Sequence, residues 1–125
     1  MNREILFRGK LINDGRWQLG DLRHLQECEV AILCGQCWMR VESDSVGQYT
    51  GLKDKNGTRI FEGDILAHKG KVIGHVVGGV RGYCYDVIYK QPAPEHDWSL
   101  FGVVVNDYDG DVEVIGNVFD NKDLL

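Results

Sequence analysis

A recurring punctuation constrains this chain more than any other feature. Asp14-Gly15, Gly35-Gln36, Asn56-Gly57, Gly78-Gly79 and Asp109-Gly110 stand between short apolar runs along the sequence. Pairs of this kind supply the positive φ that a two-residue hairpin turn demands, and Asn-Gly is the strongest such signal. The 125 residues include 16 glycines but only 2 prolines, so tight turns are abundant while breaks in hydrogen-bonded ladders are few. No long window carries the 3.6-residue apolar period of a helix. Short strands joined by tight hairpins, in an all-β barrel or sandwich, are therefore the expected architecture.

Specific registers follow from the turns. Closure at Asp14-Gly15 as a type I′ turn sets Ile12 opposite Trp17. Closure at Gly35-Gln36 sets Cys34 opposite Cys37, Ile32 opposite Met39 and Val30 opposite Val41, which gives one wholly apolar face that includes Cys28. Leu33 with Trp38, Ala31 with Arg40 and Glu29 with Glu42 then occupy the other face. Further strands are expected at residues 71–77, 83–89, 100–105 and 112–118. Residues 91–97 hold both prolines and read as loop. Residues 21–27 suit a couple of helical turns, with Leu22 and Leu25 three apart. The small polar run Ser43-Asp44-Ser45 marks a boundary between an N-terminal β-hairpin subdomain, residues 1–45, and a larger C-terminal β subdomain, residues 46–125.

Charge narrows the function classes. The net charge is −5; from Glu95 to the end there are eight acidic residues against the single basic Lys122. Nonspecific duplex binding needs clustered Lys and Arg, so this acidic third is expected to be a solvated face. Arg3 and Glu4 with no apolar run behind them argue against a signal peptide, and no stretch nears the ~18 apolar residues of a membrane span. The cytoplasm is the expected location, where Cys28, Cys34, Cys37 and Cys84 are reduced.

Candidate sites are thin. His24, Cys28, Cys34 and Cys37 offer four metal-ligating side chains in one short stretch, yet structural zinc is usually held by two spaced pairs and here a single Cys-x-x-Cys stands alone. A redox pair usually lies at a helix N-terminus, which this stretch lacks. On an apolar hairpin face, cysteine packs as a small hydrophobe, and that is the expected role. Asp107, Asp109 and Asp111 alternate as at the start of a calcium loop, but Gly110 and Glu113 fall at the wrong positions. Glu62 and Asp64 flank Gly63 at a strand entry and read as a turn. Gly74, Gly78, Gly79 and Gly82 have no following helix to cradle phosphate. His96-Asp97 lies in the loop of prolines, and no nucleophile elbow is present. No catalytic, cofactor-binding or metal residue is assigned.

Residues 48–57, Gln-Tyr-Thr-Gly-Leu-Lys-Asp-Lys-Asn-Gly, continuing through Ile60-Phe61-Glu62-Gly63-Asp64-Ile65-Leu66, resemble the central motif of the YopX family of phage and prophage proteins. Residues 3–10 with Gly15-Arg16-Trp17 resemble the family's opening, and residues 113–119 with Asp123-Leu124-Leu125 its closing segment. The resemblance implies an all-β phage or prophage protein with an SH3-like barrel in the C-terminal part and a tendency to self-associate. It carries over no catalytic residue. The expected function is that of a non-enzymatic accessory protein that binds an unknown protein partner as a homo-oligomer, without membrane contact. The alternative is nucleic-acid binding through a barrel face, using Tyr49, Lys53, Lys55 and Arg59, or Arg81, Tyr83, Tyr85 and Lys90.

Overall fold

Residues 5–27, 29–78, 85–90 and 99–125 are described by the computed structural model, and among them eleven strands form antiparallel ladders. The protein is all-β; among the described residues there are three sheets, one helical segment after Ser99, and short 3-10 turns at Ser43–Ser45 and Lys122–Leu124. Its contacts divide it into two units, Met1–Tyr49 and Thr50–Leu125.

In the first unit, β1 (Phe7–Lys10) pairs with β2 (Trp17–Gly20) and with the first residues of β6 (Gly47–Lys53). A second sheet follows the order β3 (Leu22–His24), β4 (Val30–Cys34), β5 (Cys37–Val41). The register expected at Gly35-Gln36 is the one found, from Cys34 opposite Cys37 to Val30 opposite Val41. Its apolar face supplies Val30, Ile32 and Val41 to a core closed by Leu11, with Phe7, Leu22, Met39 and Val46 around it. Gly9 allows the two sheets to meet there. A Cβ at that position would stand 2.9 Å from Val41 Cγ2 and 3.0 Å from Ile32 Cδ1.

Three expectations for this unit are corrected. Residues 22–24 are strand rather than helix, because pairing with β4 buries Leu22 against the core opposite Ile32. The Asp14-Gly15 loop is longer than a two-residue turn. Gly15 N–H donates to the Leu11 carbonyl at 2.9 Å, Leu11 N–H donates to the Arg16 carbonyl at 2.8 Å, and Lys10 rather than Ile12 faces Trp17. Leu11 is thereby free to bridge to Val41 in the core, while Ile12 is exposed. Cys37, at the turn end of its hairpin, is exposed and not a core residue; Cys34 is half-buried, and Cys28 lies outside the described residues.

In the second unit the remainder of β6 lies beside β7 (Arg59–Phe61), where Thr50 Oγ1 donates to the Ile60 carbonyl at 2.7 Å. The larger sheet has the order β10 (Asp86–Tyr89), β9 (Lys71–Val77), β8 (Asp64–His68), β11 (Glu113–Asn117). Its core joins Ile60, Leu66, Ile73, Val76, Val87, Tyr89 and Val112 to Leu100, Val103 and Val104. The last three come from a segment expected to be a strand. It is helical, widening over Gly102–Asp107 to a turn in which Tyr108 N–H reaches the Val103 carbonyl at 3.2 Å. Ser99 Oγ caps the entry by accepting the Gly102 N–H at 3.0 Å. Asp109-Gly110 therefore closes a helical segment rather than joining two strands, with Gly110 N–H donating to the Val104 carbonyl at 2.7 Å. The SH3-like barrel expected here is not closed. Among the described residues β10 and β11 are the edges of an open sheet, and the run at 100–105 expected to add a strand is helical.

Candidate interaction surface

Side chains alternate along a strand, so the inward Phe7 and Gly9 leave Arg8 and Lys10 on the outer face of the β1–β2 pair. Their ladder partners are Leu19 and Trp17. The Arg8 guanidinium lies 5.0 Å from the centre of the Trp17 ring and the Lys10 ammonium 6.0 Å from it, both within cation–π range. Arg16 is exposed at the neighbouring loop and bonds Asp14 through its Nε at 2.9 Å. The Arg16 backbone N–H, more than anything else, holds the Asp14 carboxyl below the ordinary range; desolvation opposes it, and the Arg16 guanidinium adds a smaller lowering.

A second outer face belongs to β3–β4–β5. The ladder sets Arg23, Ala31 and Arg40 in a row, with Leu33 and Trp38 beside them. Arg23 lies 5.8 Å from the Trp38 ring centre, Arg40 pairs with Glu29, and Trp38 remains 39 % exposed. Leu25, hydrogen-bonded through its N–H to the Glu29 carbonyl at 2.9 Å, is also exposed. Tryptophan and arginine are the residue types that dominate binding energy at protein interfaces, and here they form one surface around an apolar centre. Sequence reading paired Leu33 with Trp38 and Ala31 with Arg40 correctly. It missed Arg23, because a short strand at 22–24 has no turn signal of its own. Arg8 and Lys10 escape it because the loop at Asp14-Gly15 is wider than the two-residue turn its sequence signals, so Lys10 and not Ile12 faces Trp17.

The residues weighed for nucleic-acid contact fare differently. Tyr49 is 5 % exposed, so its ring is not available for stacking on a base. Lys53, Lys55 and Arg59 are exposed, but Lys55 Nζ lies 3.6 Å from Asp111. Lys90 Nζ donates to the Leu124 carbonyl at 3.1 Å and Tyr85 packs against the core, while Arg81 and Tyr83 lie outside the described residues.

Other titratable groups serve the fold. Asp54 is 7 % exposed and accepts three backbone N–H groups: Asn56 and Thr58 on one oxygen and Val114 on the other, each at 2.9 Å. Asp64, buried at the turn after Phe61, accepts the Phe61 N–H at 2.7 Å, as its expected turn role requires. His68 Nδ1 donates to the Asp111 carbonyl at 2.7 Å, its ring 4.7 Å from that of Tyr108. Burial, followed by the Asp107 charge, raises the Tyr108 phenol above its usual value. Asp111 thus tethers its turn through Lys55 and His68. His24 is exposed on β3, and among the described residues no three His, Cys, Asp or Glu side chains cluster to hold a metal. Cys84, His96 and Asp97 are outside those residues.

A family model described as YopX protein matches residues 10–125. No curated protein matches the chain.

Proposed function

Because this chain belongs to the YopX family of phage-type proteins, we propose that it is a non-enzymatic accessory protein that binds a protein partner in the host cytoplasm, working as a homo-oligomer. The observation that carries this reading is the exposed Trp38 ring flanked by Arg23 on the outer face of β3–β4–β5. A rigid sheet presents both side chains, so little conformational freedom remains to be lost on docking. Edge strands such as β3 support a homo-oligomer, since symmetric pairing covers backbone groups otherwise open to wrong partners. No helix among the described residues is long and apolar enough to cross a membrane.

The test is affinity purification of the tagged protein from host cells, with half the sample treated with nuclease. A stoichiometric protein that survives nuclease and is lost from Trp38→Ala supports the reading. A partner retained by Trp38→Ala moves the contact elsewhere on the molecule. Nucleic acid is the second reading, favoured by Arg8 and Lys10 on the Trp17 ring, a small stacking platform with local positive charge. Recovery of nucleic acid that Trp17→Ala abolishes would put this second reading first.

A further inference from the structure

We propose that Cys34 and Cys37 are a reactive dithiol that low-molecular-weight disulfides, such as glutathione disulfide, convert to an intramolecular disulfide. Cys37 is the thiol that reacts first and Cys34 the one that resolves. The proposal rests on placement and is independent of what binds the protein. The two cysteines are directly opposite in the ladder, on the same side of the sheet, at the ends of a turn whose Gly35 takes φ 65°. Directly opposite residues in antiparallel strands have Cα atoms about 4.5–5.5 Å apart. That separation lies inside the ~4.4–6.8 Å window a disulfide spans, so the backbone spacing of the ladder suits the bond.

Exposure orders the two steps. Cys37 is open to solvent, whereas Cys34 is half-buried and its thiol donates to Gln18 Oε1 at 3.4 Å. The Cys37 thiolate attacks one sulfur of glutathione disulfide, forming a mixed disulfide and expelling one glutathione thiolate. Cys34 gives up its proton to solvent and attacks the Cys37 sulfur. The Cys34–Cys37 bond forms, the bond from Cys37 to glutathione breaks, and the second glutathione thiolate leaves. Two electrons pass from the protein to the glutathione disulfide, and the two protons lost from the cysteines balance the two thiolates released. The partial burial of Cys34 restricts it to this intramolecular step. The closed loop is so short that the gain in stability is small, and the event is read out by chemistry. A transient disulfide of this kind is the type a reducing compartment tolerates.

The test treats the native protein with glutathione disulfide, quenches with acid and maps peptides by mass spectrometry; cleavage after Glu29 separates the pair from Cys28. The expected result is a peptide lighter by two hydrogens, with no adduct, restored by dithiothreitol. Cys34→Ser is expected to accumulate a single glutathione adduct on Cys37, and Cys37→Ser to leave Cys34 largely unmodified. A stable adduct on wild-type Cys37, a link to Cys28 or Cys84, or an unreactive pair overturns the proposal. The decisive readout is on the wild-type chain and does not depend on any variant folding.

Discussion

Asp54 shows how one side chain can hold together segments far apart in sequence. Its carboxylate closes the Asn56-Gly57 turn and at the same time accepts the Val114 N–H at the start of β11. Replacement by alanine leaves these amides without their acceptor where water reaches poorly. Hydrogen bonds to a charged group are each worth roughly 1.5–3 kcal/mol, so Asp54→Ala is expected to lower stability by at least ~3 kcal/mol in urea unfolding. A loss below about 1 kcal/mol would show that the turn stands without it. His75 gives the pH counterpart. It sits half-buried on β9 between Ile65 and Ile88 in the ladder, and burial lowers its pKa below the ordinary 6.5. The unfolded chain therefore takes up a proton at a pH where the folded one does not. The His75 contribution is complete above about pH 6.5 and diminishes as the pH falls from there toward its folded pKa. A ring titration by NMR is expected to place His75 below 6.5, and a midpoint at or above that value would contradict the burial argument.

The helical segment after Ser99 is the element where periodicity decides between two readings of one apolar run. Alternation would bury residues 101, 103 and 105 or else 100, 102 and 104. The helix instead buries Leu100, Val103 and Val104 and leaves Phe101 58 % and Val105 41 % exposed. Leu100→Ala is expected to cost about 2–4 kcal/mol, and Phe101→Ser to stay within roughly 0.5 kcal/mol of wild type. Comparable losses at the two positions would restore the strand. In the same unit, β9 approaches β10 so closely at Gly74 that a Cβ would collide with the backbone of Ile88. Gly74→Ala is therefore expected to loosen the β9–β10 ladder, seen as faster amide exchange at Val76 and Val87, which pair across it.

At the scale of the whole molecule, the net charge of −5 sits oddly with the cations gathered on Trp17 and Trp38. Charge that is acidic overall but basic at the aromatic faces selects a partner able to bring carboxylates or phosphates to those faces while tolerating the rest. Salt separates the two. If the partner is nucleic acid, retention falls steeply between low and moderate salt through counterion release. A protein docked on the Trp38 face has an apolar centre and is expected to survive that range. Light scattering over a dilution series tests for the homo-oligomer, and a monomeric mass at every working concentration would exclude it.

The class of fold and the register of the hairpin at Gly35-Gln36 were legible in the sequence, while the register at Asp14-Gly15 and the middle scale were not. Alternation between Val30 and Val41 around one glycine turn is a local code, because every pair in it depends on the same short stretch of chain. The place of the Asn56-Gly57 turn was legible for the same reason, although the loop closes more widely, with the Asp54 N–H donating to the Thr58 carbonyl. What tertiary structure alone decided was the fate of runs whose local preferences are balanced. The β-branched run at 103–105 became helix because Leu100, Val103 and Val104 bury together in the core on one side of a helix. Residues 22–24 became strand because β4 offered an edge and a place for Leu22. The aromatic–cation surfaces depend on strands that meet only after those choices are made. A site built across strands from single residues leaves no spacing pattern in the chain, so it becomes visible only in the folded sheet.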